Sequence, residues 1–397
     1  MEGFFQWGEV KKAAPVGLSP KCGSCGLYRK CNTPKMEPWG EGKLKVLIVG
    51  DQPGDTEDEL GRPFTGKPGQ LLQESIRAIG RSFKRDSLMT NAIICRPPED
   101  RMPQNGKEIL WCKPNLTKVI REFKPRVVIA LGRSAMKSML EGIWEEIGEL
   151  NRWTGYQIPM NGFWLCPTWH PSDVLKERNR VMEKMFTDQL DAAFSLKEAP
   201  AAQPNLEKIV TKLYEEREIV KAIEEIEGAG ITSAFDYETN CLKPEYPKAR
   251  IHSASISNGK LTIAYPWIGK AVKATSQFLR SPKIKKVAAN MKFEQRWTMK
   301  MLGHPIEALD LDTMLATHAM DNRPGICSLK FQLFVQFGIA PYDTHVKPFL
   351  EAVEGSHYNR IHEVDMGTIL QYNGIDSWGE KKLARKQLKQ LGYVTDK

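Results

Sequence analysis

The sequence lacks any run of eighteen apolar residues, and its first twelve residues lack the basic start and apolar block of a secretion signal. It also lacks internal repeats and extended low-complexity tracts. These absences argue against a membrane protein, a secreted protein and a repeat protein, so we expect a cytoplasmic location. The chain has 397 residues, of which 41% are hydrophobic and 26% charged. This length and composition predict a globular protein with two domains.

The charge and the cysteines narrow the choice of partner and cofactor. A net charge of +9 suits a polyanionic partner such as nucleic acid. Eight cysteines in a chain without a secretion signal are more typical of thiols or metal ligands than of disulfides. Cys22 and Cys25 form a C-x2-C pair, whereas Cys95 and Cys112 are too far apart for the second half of a zinc ribbon. An iron–sulfur cluster on four thiolates is the sharper hypothesis.

Other interpretations of the cysteines stay open at this point. The four could be unrelated core thiols, or Cys31 could replace one of them as a ligand. The remaining cysteines are isolated in sequence, which predicts packed thiols; they are Cys166, Cys241 and Cys327.

The stretch "SLKEAPAAQPNLEK", rich in alanine and proline, predicts a boundary between domains. We place one domain at residues 1–198, a linker at 199–206 and a second domain at 207–397. In the first domain, the apolar runs "LKVLIVG", "LMTNAIICRP", "RVVIALG" and "FWLCPTWHP" alternate with helical patterns. This alternation predicts an α/β fold with a parallel sheet, in which ligands bind beyond the carboxyl ends of the strands.

Residues far apart in sequence fall at or near those strand ends and could share one site: Asp51, Asn91, Gly132 and His170. The first strand is followed by "GDQPGDTEDELGRPFTGKPG", residues 50–69, which is rich in glycine, proline and acidic residues. We predict that this stretch contains neither helix nor strand and forms a loop of the site.

This loop, together with "TNAIICRPPEDRMP", Cys112 and "HPSDVL", resembles the family 4 uracil-DNA glycosylases over about residues 18–195. The resemblance implies a 4Fe-4S cluster on Cys22, Cys25, Cys95 and Cys112. It implies that Phe64 stacks on uracil, Asn91 reads the polar edge of the base, and His170 with Ser172 closes on the damaged strand. The family has "GEAPG" where this chain has "GDQPG". Asp51 is therefore one methylene shorter than the expected Glu, and Gln52 replaces a small residue of the uracil-binding loop, which leaves base excision open.

The second half begins with a predicted helix from Leu206 to Glu227, followed by the strand "ITSAFDYET". Two alternating runs flank Asn258-Gly259, which indicates a β-hairpin. Helical patterns dominate from Ala271 onward. These elements predict a mixed sheet covered by helices.

Pairs of functional side chains recur along this half. Asp236 and Glu238 lie two apart on the strand, and therefore on one face. Two further pairs are spaced four apart on predicted helices, Asn290 with Glu294 and Tyr372 with Asp376. Their order, with "LDLDTMLATHAM" and "SLKFQLFVQFG", resembles the DEDDy 3'-5' proofreading exonuclease domain of family A DNA polymerases over about residues 206–395. The resemblance implies an RNase H-like (DnaQ-like) fold.

It also implies a two-metal exonuclease in which Asp236, Glu238 and Asp376 bind Mg²⁺ or Mn²⁺ and Tyr372 orients the attacking water. Glu294 departs from the family, whose second motif ends in Asp, so we expect weaker occupancy of the outer metal. Asp310 or Asp312 could serve as a competing ligand, although Asp is also favoured near helix starts.

The combination resembles the front part of certain phage family A DNA polymerases. We therefore expect a DNA replication or repair protein that acts on 3' ends of DNA, in the bacterial host cytoplasm if the protein is phage-encoded. No polymerase domain follows Asp376 in this sequence, so we expect either a separate polymerase subunit as partner or a protein acting alone. Two alternatives are a non-catalytic replisome subunit with decayed sites and an active uracil glycosylase with an inert exonuclease half.

Overall fold

A computed structural model describes residues 20–100 and 106–393. These residues divide into two compact units. The N-terminal unit extends to Gln203 and also includes Phe334–Ala340, whereas the C-terminal unit comprises Pro204–Leu333 and the chain from Pro341 onward. No helix in the described part of the chain is long and apolar enough to cross a membrane.

The N-terminal unit is built on a five-stranded sheet with the order β2-β1-β3-β5-β4. Its strands are β1 (Val46–Gly50), β2 (Ser87–Asn91), β3 (Val127–Leu131), β4 (Ile158–Pro159) and β5 (Trp164–Thr168). The first three and β5 are parallel, and β4 runs antiparallel to β5. β1 and β3 are buried along their whole length, as continuous Val/Ile/Leu runs predict for central parallel strands. The predicted α/β class is confirmed.

Helices cover this sheet and pack their apolar faces against it, with Leu72, Ile76, Phe186 and Leu190 buried in the core. They are α1 (Cys22–Cys25), α2 (Asp55–Leu60), α3 (Lys67–Ala78), α4 (Phe83–Asp86), α5 (Lys107–Phe123), α6 (Arg133–Leu140), α7 (Pro171–Glu177) and α8 (Arg180–Phe194). The buried positions in α3 and α8 are four residues apart, which is the spacing of one helix face.

The prediction that residues 50–69 contain neither helix nor strand is wrong, because α2 and the start of α3 lie within them. The Glu57 carboxylate accepts hydrogen bonds from the N–H groups of Gly54 (3.1 Å) and Gly66 (2.7 Å). Acidic residues also occupy the first turn of α2, where they interact favourably with the helix dipole. These local bonds stabilise a short helix that the glycine and proline content argues against.

The C-terminal unit is built on a six-stranded sheet with the order β11-β10-β7-β8-β9-β6. Its strands are β6 (Thr211–Lys212), β7 (Ser233–Thr239), β8 (Ile251–Ser257), β9 (Thr262–Pro266), β10 (Lys286–Ala288) and β11 (Leu309–Asp312). β7, β8 and β9 are antiparallel neighbours, whereas β10 and β11 run parallel to β7. This is the RNase H-like strand arrangement and the mixed sheet that we predicted.

The hairpin predicted at Asn258-Gly259 connects β8 and β9. The Asn258 side chain accepts hydrogen bonds from the N–H groups of Lys260 and Leu261, each at 2.9 Å. Gly259 has a φ of +86°, a conformation that glycine adopts without steric cost.

The predicted helix from Leu206 to Glu227 is shorter than expected. A 3-10 turn (Leu206–Lys208) and β6 occupy its first part, and the helix itself begins at Glu216. The remaining helices are α9 (Glu216–Gly228), α10 (Gly269–Arg280), α11 (Met291–Leu302), α12 (Thr313–Met320), α13 (Leu329–Phe337), α14 (Lys347–Leu350) and α15 (Met366–Gln390).

The longest helix, α15, packs across the central strands β7, β8 and β9. Two glycines allow its close contacts. A Cβ atom on Gly374 would lie 2.4 Å from Val210 Cγ1, and one on Gly379 would lie 2.4 Å from Leu333 Cδ1. α15 therefore holds Tyr372 and Asp376 close to the sheet.

Candidate functional site

Four cysteines of the N-terminal unit line one pocket: Cys22, Cys25, Cys95 and Cys112. Cys31 is not among the lining residues. Burial raises the pKa of the Cys95 thiol to about 12, and burial also raises the pKa of Cys25 and Cys112. The Cys95 sulfur accepts a hydrogen bond from the Lys35 N–H at 3.2 Å. A bound metal centre would supply the positive charge that keeps such buried thiols ionised.

The spacing of these sulfurs bears on the kind of metal centre. A single zinc ion with Zn–S bonds of about 2.3 Å holds its sulfur ligands within about 4 Å of one another. Among the described residues, no three cysteine sulfurs lie within 4.8 Å of one another. In a polynuclear cluster, by contrast, each thiolate binds a different iron. Of the isolated cysteines, Cys166 and Cys241 are buried and Cys327 is partly exposed.

The predicted uracil-contacting residues converge at the carboxyl ends of the parallel strands. A Cβ atom on Gly50 would lie 2.4 Å from Asn91 Oδ1 and 2.7 Å from Phe64 Cζ. The Asn91 amide and the Phe64 ring therefore flank the same piece of backbone at the end of β1. Phe64 has a φ of +58°, which is unusual for an aromatic residue and is typical of strained functional loops.

Asp51 lies beside this pair, at the end of β1. Its Oδ1 accepts a hydrogen bond of 2.9 Å from the Ala135 N–H, in the first turn of α6. Burial raises the pKa of Asp51, while His170 and the backbone N–H of Ala135 act in the opposite direction. Gly132 allows this approach, because a Cβ atom there would lie 2.5 Å from Asp51 Oδ2. The protein itself therefore supplies donors to this carboxylate.

His170 is the N-cap of α7, and its Nδ1 lies 2.7 Å from Ser172 Oγ. Because Nδ1 is engaged, Nε2 is the ring atom through which His170 would contact a ligand. Gln52 donates a hydrogen bond of 2.7 Å to the carbonyl of Asp100. Its Oε1 is buried and has no hydrogen-bond partner within the described ranges.

The carboxylates of the C-terminal unit form the second site. One ligand oxygen from each of Asp236, Glu238 and Asp376 lies within 4.8 Å of the other two. Asp236 and Glu238 come from β7 and Asp376 from α15, so the packing of this helix on the sheet creates the cluster. Burial and the neighbouring Asp376 raise the pKa of Asp236 to about 8. Burial and the charges of Asp236 and Asp376 hold the pKa of Glu238 well above its usual range.

Lys330 is the cation of this cluster. Its Nζ lies 2.6 Å from Asp376 Oδ2 and 2.9 Å from the Tyr372 hydroxyl. Burial acts to lower the pKa of Lys330, but the charge and hydrogen bond of Asp376, together with the charges of Glu238 and Asp343, outweigh burial and raise it. The Tyr342 hydroxyl donates to the other oxygen of Asp376. Burial and Asp376 raise the pKa of both tyrosines, so both remain protonated at neutral pH.

Asn373 positions the first carboxylate. Its amide Nδ2 donates a hydrogen bond of 2.5 Å to Asp236 Oδ2. Its own carbonyl oxygens are held by β8, since Ser253 Oγ lies 3.2 Å from Oδ1 and Ser255 Oγ donates to the backbone oxygen at 2.8 Å. The orientation of Asp236 therefore depends on the contact between α15 and β8.

Two further carboxylates lie close to the cluster, Glu294 on α11 and Glu380 on α15. They are 2% and 1% exposed. Burial raises the pKa of each, and the nearby charge of Asp236 raises it further. The charges of Asp236 and Glu238 therefore act on Glu294, the residue predicted from the second motif.

The competing ligands considered above have other partners. Asp310 pairs with Lys285 at 3.0 Å. Asp312 caps α12 by accepting from the N–H groups of Met314 (2.9 Å) and Leu315 (3.2 Å), which is the capping role expected of it. It also accepts from the N–H of Asn290, which is the N-cap residue of α11.

The donor set suits hard divalent cations. Several carboxylates lie close together with Lys330 as the ammonium group among them, and crowded carboxylates either retain protons or bind cations. Carboxylate oxygens are the ligands that Mg²⁺ and Mn²⁺ prefer. The residues present therefore fit the implied metal ions.

Sequence reasoning missed four residues of this site. Glu380 follows Asp376 by four positions on one helix, so the helical spacing could have revealed it. Asn373 adjoins Tyr372, and Lys330 lies within a stretch that already carried the resemblance. Tyr342 lies in an irregular segment, where periodicity gives no signal.

With this geometry established, the chain can be compared with known proteins. The model of the uracil DNA glycosylase superfamily matches residues 37–193. A type-4 uracil-DNA glycosylase of Pyrobaculum aerophilum is 40% identical over an alignment of 171 positions, which covers 40% of this chain and 82% of that protein. One from Saccharolobus solfataricus is 34% identical over an alignment of 188 positions, which covers 44% of this chain and 83% of that protein. The chain belongs to the uracil DNA glycosylase superfamily.

A different relative extends across both units. The DNA polymerase of Bacillus phage SP01 is 23% identical over an alignment of 345 positions, which covers 74% of this chain and 34% of that polymerase. The chain thus matches about a third of the length of that polymerase.

Among solved structures, Escherichia coli RNase D aligns with 46% of this chain and 45% of its own, with a TM-score of 0.36 and 12% identity. The catalytic core of RRP6 from Trypanosoma brucei aligns with 49% of this chain and 51% of its own, with a TM-score of 0.38 and 14% identity.

Proposed function

We propose that this protein is a DNA replication or repair enzyme whose C-terminal unit is a metal-dependent 3'-5' DNA exonuclease of the DEDDy type. The observation that carries the proposal is the convergence of Asp236, Glu238 and Asp376, with ligand oxygens within 4.8 Å of one another. The resemblance of the three motifs to proofreading exonucleases, and the relationship to a phage DNA polymerase, support DNA as the substrate.

Each residue of the cluster has a role in this proposal. Asp236, Glu238 and Asp376 hold the divalent cations, which when bound polarise the phosphodiester and activate water. Tyr372 accepts a hydrogen bond from Lys330, which leaves its own O–H available to orient the attacking water. Asn373 holds Asp236 in place, and Tyr342 with Lys330 holds Asp376.

We propose further that the N-terminal unit binds DNA and recognises uracil. Asn91 presents both a donor and an acceptor to the polar edge of a flipped base, and Phe64 offers an aromatic face. His170 and Ser172 close on the damaged strand. Four cysteines hold a 4Fe-4S cluster that supports this fold.

Excision of uracil is a second candidate function, and the environment of Asp51 favours it. The Ala135 N–H holds this carboxylate in place, and the N–H group and His170 favour its ionised form against the burial that raises its pKa. Such a group can orient water or stabilise an oxocarbenium-like sugar. The shorter Asp51 side chain decides whether this charge reaches the sugar.

The partner in this proposal is a separate family A DNA polymerase. The similarity to the phage polymerase includes both units of this chain and about a third of that protein. An exonuclease that works with a polymerase edits the 3' end that the polymerase extends.

One experiment tests these functions together. A 5'-labelled single strand with one internal uracil is incubated with the protein, in Mg²⁺ or in EDTA, and then treated with alkali. A ladder that requires Mg²⁺ supports the exonuclease, whereas a single EDTA-resistant break revealed by alkali supports the glycosylase. Absence of both products would overturn the enzymatic proposals and favour a non-catalytic binding subunit.

The cluster has its own test. Protein purified without air should absorb broadly in the visible range and contain iron and sulfide. Stoichiometric zinc without that absorbance would refute the iron–sulfur proposal.

A further inference from the structure

The acidic site contains one carboxylate that the three exonuclease motifs do not assign. Glu380 lies one helical turn after Asp376 on α15, and the two side chains therefore share a face of the helix. Glu380 is 1% exposed. A buried acid at this position needs a partner, because desolvation of an isolated carboxylate is costly.

Within the described ranges, one of the two oxygens of the Glu380 carboxylate has a hydrogen-bond partner. Glu380 Oε1 accepts from the N–H of Ala289 at 3.1 Å, which fixes the side chain beside the start of α11. In the part of the chain that the structure describes, Oε2 is buried and has no hydrogen-bond partner. One oxygen is thus held in place while the other is left for a ligand.

Glu294 lies close to Glu380 and shows the same feature. It occupies the first turn of α11, is 2% exposed, and its Oε2 is likewise buried without a partner among the described residues. The charge of Glu294 acts on Glu380, and the charge of Asp236 acts on both acids. Each of the two acids thus has one buried oxygen that no described residue satisfies.

The charge of the site favours a cation over further protein contacts. Five carboxylates and the Lys330 ammonium leave four net negative charges when all groups are ionised. Lys330 contacts Asp376, whereas the charges that act on Glu294 and Glu380 come from other acids. Two divalent cations would balance the site.

We propose that Glu380 and Glu294 together bind a second divalent cation, next to the position formed by Asp236, Glu238 and Asp376. The proposal rests on the exonuclease function proposed above and adds to it a ligand outside the three motifs. Glu380 then compensates for the longer Glu294 side chain in the second motif, because the ion is shared between two flexible carboxylates. Mg²⁺ and Mn²⁺ are the ions that such oxygen ligands select.

The test counts bound Mn²⁺ in the full chain after chelator treatment, by calorimetric titration and by electron paramagnetic resonance of free Mn²⁺. We expect two ions in the wild type. Glu380→Gln keeps the Oε1 acceptor for Ala289 but removes the charge. The affinity for one of the two Mn²⁺ ions should fall by about tenfold or more. Asp310→Asn, on β11 and outside the cluster, is the matched control and should retain both ions.

Glu294→Gln is the second variant and should lower the affinity for the same Mn²⁺ ion. The double variant should therefore lose little more affinity than either single variant, since both residues serve one position. A thermal melt of each metal-free variant checks that it folds.

Several outcomes separate the two proposals. If Glu380→Gln binds two Mn²⁺ ions with wild-type affinity, or if the wild type binds one ion and degrades DNA, the Glu380 site is wrong and the exonuclease stands. If the wild type neither binds Mn²⁺ nor degrades DNA, the exonuclease proposal itself fails.

Discussion

The two candidate sites treat their acidic residues in opposite ways. In the N-terminal unit, Asp51 is a single carboxylate held by the Ala135 N–H, with His170 as a nearby electrostatic partner. In the C-terminal unit, several carboxylates are crowded together, and two of them have a buried oxygen without a hydrogen-bond partner in the described ranges. The donors to the first carboxylate come from the protein, whereas the function proposed for the second site requires ions from solution.

The difference teaches how each site can fail. The protein itself supplies the groups that favour the ionised form of Asp51 against the burial that raises its pKa, so we expect the N-terminal pocket to depend on shape more than on added ions. A cluster of acids requires cations to hold its charge at neutral pH, so the C-terminal site depends on electrostatic balance. Substitutions that change charge should therefore affect the C-terminal site most. Substitutions that change side-chain volume should affect the N-terminal pocket most.

The largest expected effect comes from removing a metal ligand. Asp236→Ala should lower Mg²⁺-dependent degradation of a 3' end by about a hundredfold or more, because the cations lose a ligand and the substrate is misplaced. The rate is measured on a 5'-labelled single strand. Binding of uracil-containing DNA, followed by fluorescence anisotropy with the variant, should remain at the wild-type level.

Asp51→Asn is the matched change in the other site and should leave exonuclease activity unchanged. The contrast between the sites would be broken if Asp51→Asn slowed the exonuclease as much as Asp236→Ala does.

A volume change should affect the N-terminal pocket instead. Gly50→Ala would place a methyl group 2.4 Å from Asn91 Oδ1 and 2.7 Å from Phe64 Cζ. Overpacking of this kind costs about 1–3 kcal/mol of folding stability, and it forces Asn91 or Phe64 to move. Because these are the side chains proposed to contact uracil, we expect affinity for uracil-containing DNA to fall by roughly tenfold or more. The measurement is a comparison of Kd values for strands with uracil and with thymine.

Gly228→Ala is the control for this change. Gly228 ends α9, and a Cβ atom there would meet nothing within 4 Å, so this variant should bind as the wild type does. If the Gly50→Ala variant and the wild type bind uracil-containing DNA with equal affinity, the proposal that Phe64 and Asn91 contact uracil is wrong.

Much of the fold and of the two sites could be predicted from the sequence. The features that could not be predicted depend on local capping and on tertiary contacts. The buried parallel strands and the convergence of Asp236, Glu238 and Asp376 follow from apolar runs and from motif spacing. The helix α2 was missed because capping by Glu57 overrides the glycine and proline content of the loop. The roles of Lys330 and Tyr342 depend on tertiary contacts between segments distant in sequence.

Without metal, the pH dependence of stability should be larger in the C-terminal unit, where several carboxylates have a raised pKa, than in the N-terminal site, where Asp51 does. The pKa of Asp236 is raised from 3.8 in the reference state to about 8 in the folded state. Between these values the folded state binds more protons than the unfolded state, so stability falls as pH rises from about 4 to about 8. Glu238 and Glu380, whose pKa values are raised in the same direction, add to the effect.

Thermal melts of EDTA-treated protein at pH values from about 4 to about 8 measure this change in stability. Hydrogen exchange measures the stability of each unit separately. Added Mn²⁺ should abolish the decline in the C-terminal unit. A decline that persists unchanged in Mn²⁺ would contradict the view that cations balance this cluster.

The smallest expected effect concerns the cation that the protein itself provides. Lys330 lies 2.6 Å from Asp376, where it offsets part of the negative charge that attracts metal ions. Lys330→Met retains the length of the side chain and removes its charge, so Mn²⁺ should bind severalfold more tightly in a calorimetric titration. Lys285→Met, which removes a cation paired with Asp310 outside the cluster, should leave Mn²⁺ affinity unchanged. Weaker Mn²⁺ binding in Lys330→Met would mean that the lysine orients Asp376 more than it competes with the metal, and that even the charge-dominated site is limited by geometry.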